Sequence, residues 1–299
     1  MSFNAKKCIC VSVLLALIAI MLWDCETPEV FDPYADWDYH QDFEYHSFAH
    51  VSSERCRILI IGNSLTYFND QPKMLSNLAR ENNRRAFVDE ISFPGVQMRE
   101  HYKDEYTLRK IREQDWDFVI LQEAVGDVAS PDNHDNISKY VEVLRDSILS
   151  NCAETMIFYF LPWGLKSGYG FEFITIPFED HQMNLTAGTV EFASSLDLMV
   201  APVGEAWLNA ISDTAGIELF YSDGAHPSYY GSFLGACVYY AAIFQDSLTD
   251  DYYRGWKYEY LKKVAYSTVM DSLEKWNIPI LEDLTRWVIP TDDDLIPLD

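Results

Sequence analysis

Short apolar runs alternate with amphipathic stretches along most of this chain, beginning near residue 56. The runs are apolar almost throughout, as strands are when both faces of a parallel sheet are covered by helices. Strands are therefore predicted at 57–61, 86–93, 117–121, 155–161 and 197–201.

Most stretches between and after these runs repeat their apolar residues every three or four positions, which is the spacing of helices, and 228–244 is apolar almost throughout. Helices are predicted at 71–82, 106–114, 137–149, 178–195, 228–244 and 257–275. A regular alternation of strand and helix predicts a parallel sheet with helices on both faces. The predicted fold class is therefore α/β, a three-layer α/β/α architecture with a five-stranded, flavodoxin-like parallel sheet.

Four residues with possible chemical roles follow the first four predicted strands by one to three positions. They are Ser64, Gly95, Gln122 and Trp163. Ligands of such sheets bind at the carboxyl ends of the strands. We therefore expect these four residues, which are far apart in sequence, to meet at one edge of the sheet.

Ser64 and the pair Asp223 and His226 have the residue types of an acyl-transfer triad. A serine hydroxyl is a weak nucleophile until a base removes its proton. In Asp223-Gly-Ala-His226-Pro227 the carboxylate and the imidazole are three positions apart and can lie on one side of a turn. Asp223 would then fix the tautomer of His226, which would act as base toward Ser64. Each half also fits a plain turn or a helix cap.

Two further residues could stabilise the negative charge of a reacting carbonyl oxygen. The backbone N–H groups of Ser64 and Gly95 and the side-chain amide of Gln122 are the predicted oxyanion hole. Gly95 could equally be an ordinary turn glycine, and Gln122 could bond to local backbone groups instead. Asn63, beside the serine, is predicted to contact substrate.

The segment after the fourth strand is rich in glycine and aromatic residues, which suits a loop that lines a pocket. Trp163 and Tyr169 lie in this segment, at 161–173. Their rings could stack on a sugar, and both are predicted to bind substrate. Packing against the scaffold is the alternative for both rings.

These residues resemble motifs of the SGNH (GDSL-like) hydrolase superfamily. Gly62-Asn63-Ser64-Leu65 is similar to its nucleophile block, with Asn63 where aspartate is usual. Gly95 matches the glycine of the oxyanion block. Asp223-Gly224-Ala225-His226-Pro227 matches the last block, which implies the acid and base of the triad. The resemblance covers roughly residues 56–275 and implies the SGNH hydrolase fold.

The third block of the superfamily, Gly-x-Asn-Asp, is absent here. The chain has Leu121-Gln122-Glu123 after the third strand, and it resembles a bacterial branch of the superfamily in this respect. That branch also has elements similar to 202–207 and 231–240. The resemblance implies that Gln122 replaces the usual asparagine as the third oxyanion donor.

The chain begins with features of an export signal. Lys6 and Lys7 precede an apolar run from Cys8 to Trp23, which is shorter than the ~20 residues that cross a bilayer comfortably. The segment could be cleaved, lipidated at Cys25 or retained as an anchor. An exported protein, periplasmic, on the cell surface or secreted, is therefore predicted, with contact to a membrane only through this segment.

The remaining organisation follows from composition. We predict a signal peptide or anchor at 1–24, an acidic aromatic linker at 25–53, an SGNH hydrolase-like domain at 54–276 and an acidic tail at 277–299. The histidines of the linker have no firm ligand spacing, and the cysteines form no Cys-x-x-Cys pair, so no metal and no cofactor are predicted. A disulfide between Cys25 and Cys56 stays open.

The net charge of the chain limits the kinds of partner that it can bind. With 47 acidic and 22 basic residues the formal net charge is −25, which would repel nucleic acid and anionic lipid. The sequence thus predicts an exported serine esterase that hydrolyses small acyl esters, acetyl esters on carbohydrate above all. An acetyltransferase with the same triad and a non-catalytic carbohydrate-binding surface protein are the alternatives. The predicted partner is a small-molecule or glycan ester.

Overall fold

The centre of the molecule is a sheet of five strands, all paired in parallel. This computed structural model describes residues 40, 43–123, 127–171, 174–213, 215–249, 251–283, 285 and 287–289. The strands of the sheet are β1 (Cys56–Gly62), β2 (Ala86–Ser92), β3 (Phe118–Leu121), β4 (Met156–Phe160) and β7 (Met199–Ala201). Their order across the sheet is β2-β1-β3-β4-β7. The predicted three-layer α/β/α fold is confirmed, with the strand order of flavodoxin-like sheets.

Nine α-helices occur in the described residues. They are α1 (Ser64–Tyr67), α2 (Gln71–Glu81), α3 (Met98–His101), α4 (Glu105–Ile111), α5 (His134–Asn151), α6 (Phe178–Ser195), α7 (Val203–Ser212), α8 (Tyr229–Phe244) and α9 (Trp256–Met270). Short 3-10 turns lie at Phe68–Asp70, Asp127–Ala129 and Pro131–Asn133. All six predicted helices are present, with ends that differ by a few residues.

The core lies on both faces of the sheet, because the central strands have no polar side. Every residue of β1 and of β3 is buried. Helix α8 is buried along almost its whole length, from Gly231 to Phe244, which explains why it has no polar face in the sequence. Apolar patterning of this kind is expected for elements that are covered all round.

The segment predicted as a loop after β4 contains a small hairpin. Strands β5 (Tyr169–Phe171) and β6 (Ile174–Ile176) pair antiparallel and form a sheet of their own. The sequence did not indicate this hairpin, since each strand has only three residues and glycines interrupt the pattern. Helix α7 was also not predicted; its ten residues follow Pro202 directly and pack Trp207 into the core.

Chain segments that flank the predicted domain pack on it. Gln114 exchanges hydrogen bonds with Val51 N and Ala49 O of the segment before β1. Toward the end of the chain, Trp287 O accepts from Arg85 N. Contacts on the domain therefore extend beyond 54–276 at both ends, within the part of the chain that the structure describes.

Part of what the sequence predicts for the start of the chain concerns residues that the structure does not describe. The predicted export segment at 1–24 and Cys25 lie outside the described residues. Within them, no helix combines the length and the apolar character needed to cross a membrane, and no group of three metal-ligating side chains occurs. Among the described cysteines, Cys56 and Cys237 are buried and Cys152 is a free thiol.

Candidate active site

The serine, histidine and aspartate predicted from the sequence form one hydrogen-bonded chain. His226 Nε2 lies 2.9 Å from Ser64 Oγ, and His226 Nδ1 lies 2.7 Å from Asp223 Oδ2. These distances are those of a nucleophile, a base and the acid that orients the base. The imidazole and the carboxylate side chains keep 30% and 42% of their surface exposed, so substrate and water can reach both.

A narrow hairpin holds the acid and the base. Tyr221 N donates to His226 O, and Gly224 N donates to Tyr221 O. Asp223 Oδ1 accepts from the backbone N–H groups of Ala225 and His226, at 2.9 and 3.0 Å. The backbone N–H of Ala225 is the largest cause that holds the pKa of Asp223 below its ordinary value, followed by the imidazole and then the backbone N–H of His226. The carboxylate therefore stays charged and keeps the proton of His226 on Nδ1.

Asn63 organises the turn that carries the nucleophile. It is the N-cap of α1, and its Oδ1 accepts from Leu65 N at 3.1 Å. Its Nδ2 donates to Val96 O at 2.9 Å, which ties the nucleophile turn to the loop after β2. The side chain is 3% exposed. Asn63 therefore has both ends of its amide engaged inside the protein, where the sequence had predicted a substrate contact.

Gln122 lies beneath the same turn. Its Oε1 accepts from Asn63 N at 2.8 Å and from Thr66 Oγ1 at 3.0 Å, and its Nε2 donates to Glu123 O. The residue is 0% exposed. Gly62 leaves the space for this arrangement, since a Cβ there would lie 2.5 Å from Gln122 Oε1. The geometry favours a role for Gln122 in supporting the nucleophile turn over the predicted role as an oxyanion donor.

Two backbone N–H groups next to the nucleophile are open to a ligand. Gly95 is exposed and has φ +66°, in a tight turn where Val96 N donates to Phe93 O. Such a φ favours glycine over any residue with a side chain. Within the described part of the chain, neither Gly95 N nor Ser64 N has a hydrogen-bond partner. These are the groups predicted for the oxyanion hole.

Trp163 packs behind the triad. Its indole is 1% exposed and stacks on Trp207 with ring centroids 4.1 Å apart. Its Nε1 donates to Ala225 O at 2.9 Å, so it holds the hairpin that carries Asp223 and His226. The sequence had predicted that this ring binds substrate, and the structure instead places it in the scaffold, which was the stated alternative.

Tyr169 is 40% exposed on β5, and its ring stacks on His181 at 4.9 Å. His181 is buried, and burial lowers its pKa. Tyr169 therefore presents a surface that a ligand could contact. A role in substrate binding stays a prediction.

Three residues that the sequence did not single out also shape the site. The ring of Phe68 stacks on the imidazole of His226, with centroids 4.3 Å apart and planes 15° from parallel. Asn69 Nδ2 donates to Pro227 O and so links the nucleophile segment to the base. His101, fully buried on α3, donates from Nε2 to Gly62 O. Only tertiary contacts identify these residues, since no local pattern distinguishes them.

Comparison with known proteins gives structural matches only. No protein-family model matches the chain, and neither does any curated protein. A DUF4886 family protein from Bacteroides uniformis superposes with a TM-score of 0.59 at 16% sequence identity, covering 72% of this chain and 95% of that one. This match shows that the two proteins share a fold.

Two other solved structures match with lower TM-scores. One is a protein from Slackia heliotrinireducens that is proposed to be an SGNH hydrolase, 24% identical, with 61% of this chain and 95% of that chain covered and a TM-score of 0.49. The other is a mutant of an acetyl-xylooligosaccharide esterase from Geobacillus, 14% identical, with 71% and 100% covered and a TM-score of 0.44.

Proposed function

We propose that this protein is a serine esterase of the SGNH type that hydrolyses small acyl esters. The observation that carries the proposal is the continuous hydrogen-bonded chain from Ser64 Oγ through His226 to Asp223. A serine, a histidine and a carboxylate in this order and at these distances are the parts of acyl transfer through a covalent intermediate. The motifs that resemble the SGNH superfamily support the same conclusion.

Each group has a role in the proposed reaction. His226 Nε2 removes the proton of Ser64 Oγ as this oxygen attacks the ester carbonyl carbon. Asp223, kept ionised by its backbone donors, stabilises the imidazolium that forms. The N–H groups of Ser64 and Gly95 are free to bind the oxyanion. The imidazolium then gives its proton to the leaving alcohol, and His226 activates the water that releases the acid.

Hydrolysis is favoured over acyl transfer because the triad is open to solvent. The side chains of His226 and Asp223 retain about a third of their surface or more, so water can reach the acyl-enzyme. A transferase must keep water away from this intermediate. The acyl group is proposed to be small, acetyl in particular.

The test is the hydrolysis of p-nitrophenyl acetate by Ser64→Ala and by a matched serine variant. We expect Ser64→Ala to lose at least ~10³-fold in kcat while keeping its fold by circular dichroism. Ser76→Ala, on the partly exposed face of α2, should keep wild-type activity. Full activity in Ser64→Ala would overturn the proposal.

Export is a separate proposal that rests on the basic start and the apolar run of the sequence. It is tested by fractionation of expressing cells, where the full chain should be found outside the cytoplasm. A variant in which charged residues interrupt the run from Cys8 to Trp23 should stay inside. Equal distribution of the two proteins would contradict it.

A further inference from the structure

A cavity borders the turn that carries the acid of the triad. It has a volume of about 510 Å³, within the range of small-molecule sites. One wall is Lys166 and Ser167 from the loop after β4, and the other comes from the hairpin, with Glu218, Tyr221 and Asp223. The cavity therefore lies directly beside the triad.

Hydrogen bonds fix the two walls relative to each other. Lys166 N donates to Gly224 O at 2.9 Å, and Lys166 Nζ pairs with Glu218 Oε2 at 2.5 Å. The other carboxylate oxygen of Glu218 accepts from Phe220 N at 3.0 Å. The two bonds to backbone groups hold the walls in place before any ligand arrives, which reduces the entropy lost on binding. The ion pair is exposed on both sides and contributes little.

An exposed aromatic ring connects this cavity to the catalytic histidine. Tyr221 lines the cavity and is 54% exposed. Its ring contacts Phe68 edge to face, with centroids 6.1 Å apart, and Phe68 in turn stacks on His226. One ring, that of Phe68, therefore separates Tyr221 from the catalytic imidazole.

The lining selects a neutral polyhydroxylated ligand. The charged groups of the walls are already engaged: Lys166 pairs with Glu218, and Asp223 accepts from two backbone N–H groups and from the imidazole of His226. A charged ligand would have to compete with these bonds. The apolar part of the lining comes from aromatic rings and the stem of Lys166, with no leucine, isoleucine or valine, which disfavours lipid. Sugar rings bind through hydrogen bonds and stacking to the kinds of group found here: two serine hydroxyls, two carboxylates, one ammonium group and the rings of Phe220 and Tyr221.

We propose that this cavity is a subsite for a neutral sugar unit of the ester's alcohol part, with Tyr221 as its stacking platform. This inference rests on the proposed esterase function and adds the substrate class. It also moves the predicted sugar contact from Trp163, which is buried, to Tyr221, which is exposed.

The experiment compares two substrates that share the acyl group. The kcat/KM values for acetylated xylotetraose and for p-nitrophenyl acetate are measured for wild type, Tyr221→Ala and Tyr221→Trp. We expect Tyr221→Ala to lower the ratio of the two values by roughly three- to tenfold, the size of one lost stacking contact. Tyr221→Trp keeps an aromatic face and should retain the ratio.

Tyr229→Ala is the matched control, because Tyr229 is 46% exposed, follows the same hairpin and does not line the cavity. An equal change of the ratio in Tyr221→Ala and Tyr229→Ala would overturn the subsite. Calorimetry with deacetylated xylotetraose, cellotetraose and chitotetraose tests the subsite without catalysis. Binding to wild type that weakens in Tyr221→Ala supports it even if the esterase proposal fails, and no binding of any of the three overturns it.

Discussion

Replacement of Gln122 by methionine tests what supports the nucleophile. Methionine has nearly the same length and volume as glutamine, so packing is largely kept while the polar amide is removed. Three hydrogen bonds disappear at once: those from Asn63 N and Thr66 Oγ1 to Oε1, and that from Nε2 to Glu123 O. Because Gln122 is 0% exposed, water cannot replace them.

The size of the effect follows from the partners left behind. Two of them are backbone groups that cannot turn toward another acceptor or donor. A buried polar group that loses its partner costs about 1–3 kcal/mol. We therefore expect the free energy of unfolding to fall by about 3–5 kcal/mol. We also expect lower activity, because the turn that presents Ser64 loses its anchor.

The assay is urea unfolding together with p-nitrophenyl acetate kinetics. Gln114→Met is the matched control: Gln114 is also buried and bonds to Val51 N and Ala49 O, but it lies before β3, away from the triad. It should lose stability and keep its kcat. If Gln122→Met were as stable as wild type and its kcat fell ~10²–10³-fold, Gln122 would be an oxyanion donor and the structural role would be refuted.

Three further results are expected. Phe68→Leu removes the ring stacked on His226 and should lower kcat/KM for p-nitrophenyl acetate roughly three- to tenfold. Phe68→Tyr keeps the ring and should keep the wild-type value. Equal values of kcat/KM in the two variants would contradict a role for the stacked ring. Trp163→Phe removes the donor to Ala225 O and should lower kcat equally for aryl and sugar esters, with KM unchanged. A rise of KM for the sugar ester alone would instead support the predicted role of Trp163 in substrate binding. Burial raises the pKa of Glu90 from 4.5 to about 7. The contribution of the protonated carboxyl to the free energy of unfolding is therefore fully present below pH 4.5 and is lost as the pH rises from 4.5 through 7. Glu90→Gln should match wild type near pH 4 and be up to about 3 kcal/mol more stable at pH 8 in urea unfolding, and a difference that does not change with pH would contradict the assignment.

The architecture could be predicted because each level of the sequence agrees with it. Strands such as 118–121 are apolar on both sides, which is typical of the centre of a parallel sheet. The helix at 178–195 has the predicted bounds. The strand ends then place Ser64 and Gly95 at one edge, since parallel strands all end on the same side of the sheet. The hairpin of β5 and β6 is too short for its pattern to stand out.

The direction of individual side chains could not be predicted in the same way. The positions of Gln122 and Trp163, one and two residues beyond their predicted strands, indicate that both are near the site. They do not indicate whether each side chain faces the ligand or the interior. The contacts of Gln122 with Asn63, and of Trp163 with Ala225, join residues about 60 positions apart, and only the folded chain brings them together.

The central claim, that Ser64 is a nucleophile activated by His226, is tested most directly by covalent labelling. Wild type, Ser64→Ala and His226→Ala are incubated with a fluorophosphonate, and intact mass and peptide mapping locate the adduct. We expect one adduct per chain on Ser64 in wild type, none in Ser64→Ala, and labelling slowed at least ~10²-fold in His226→Ala. A folded wild-type protein that remains unlabelled, or one labelled on another serine, would contradict it.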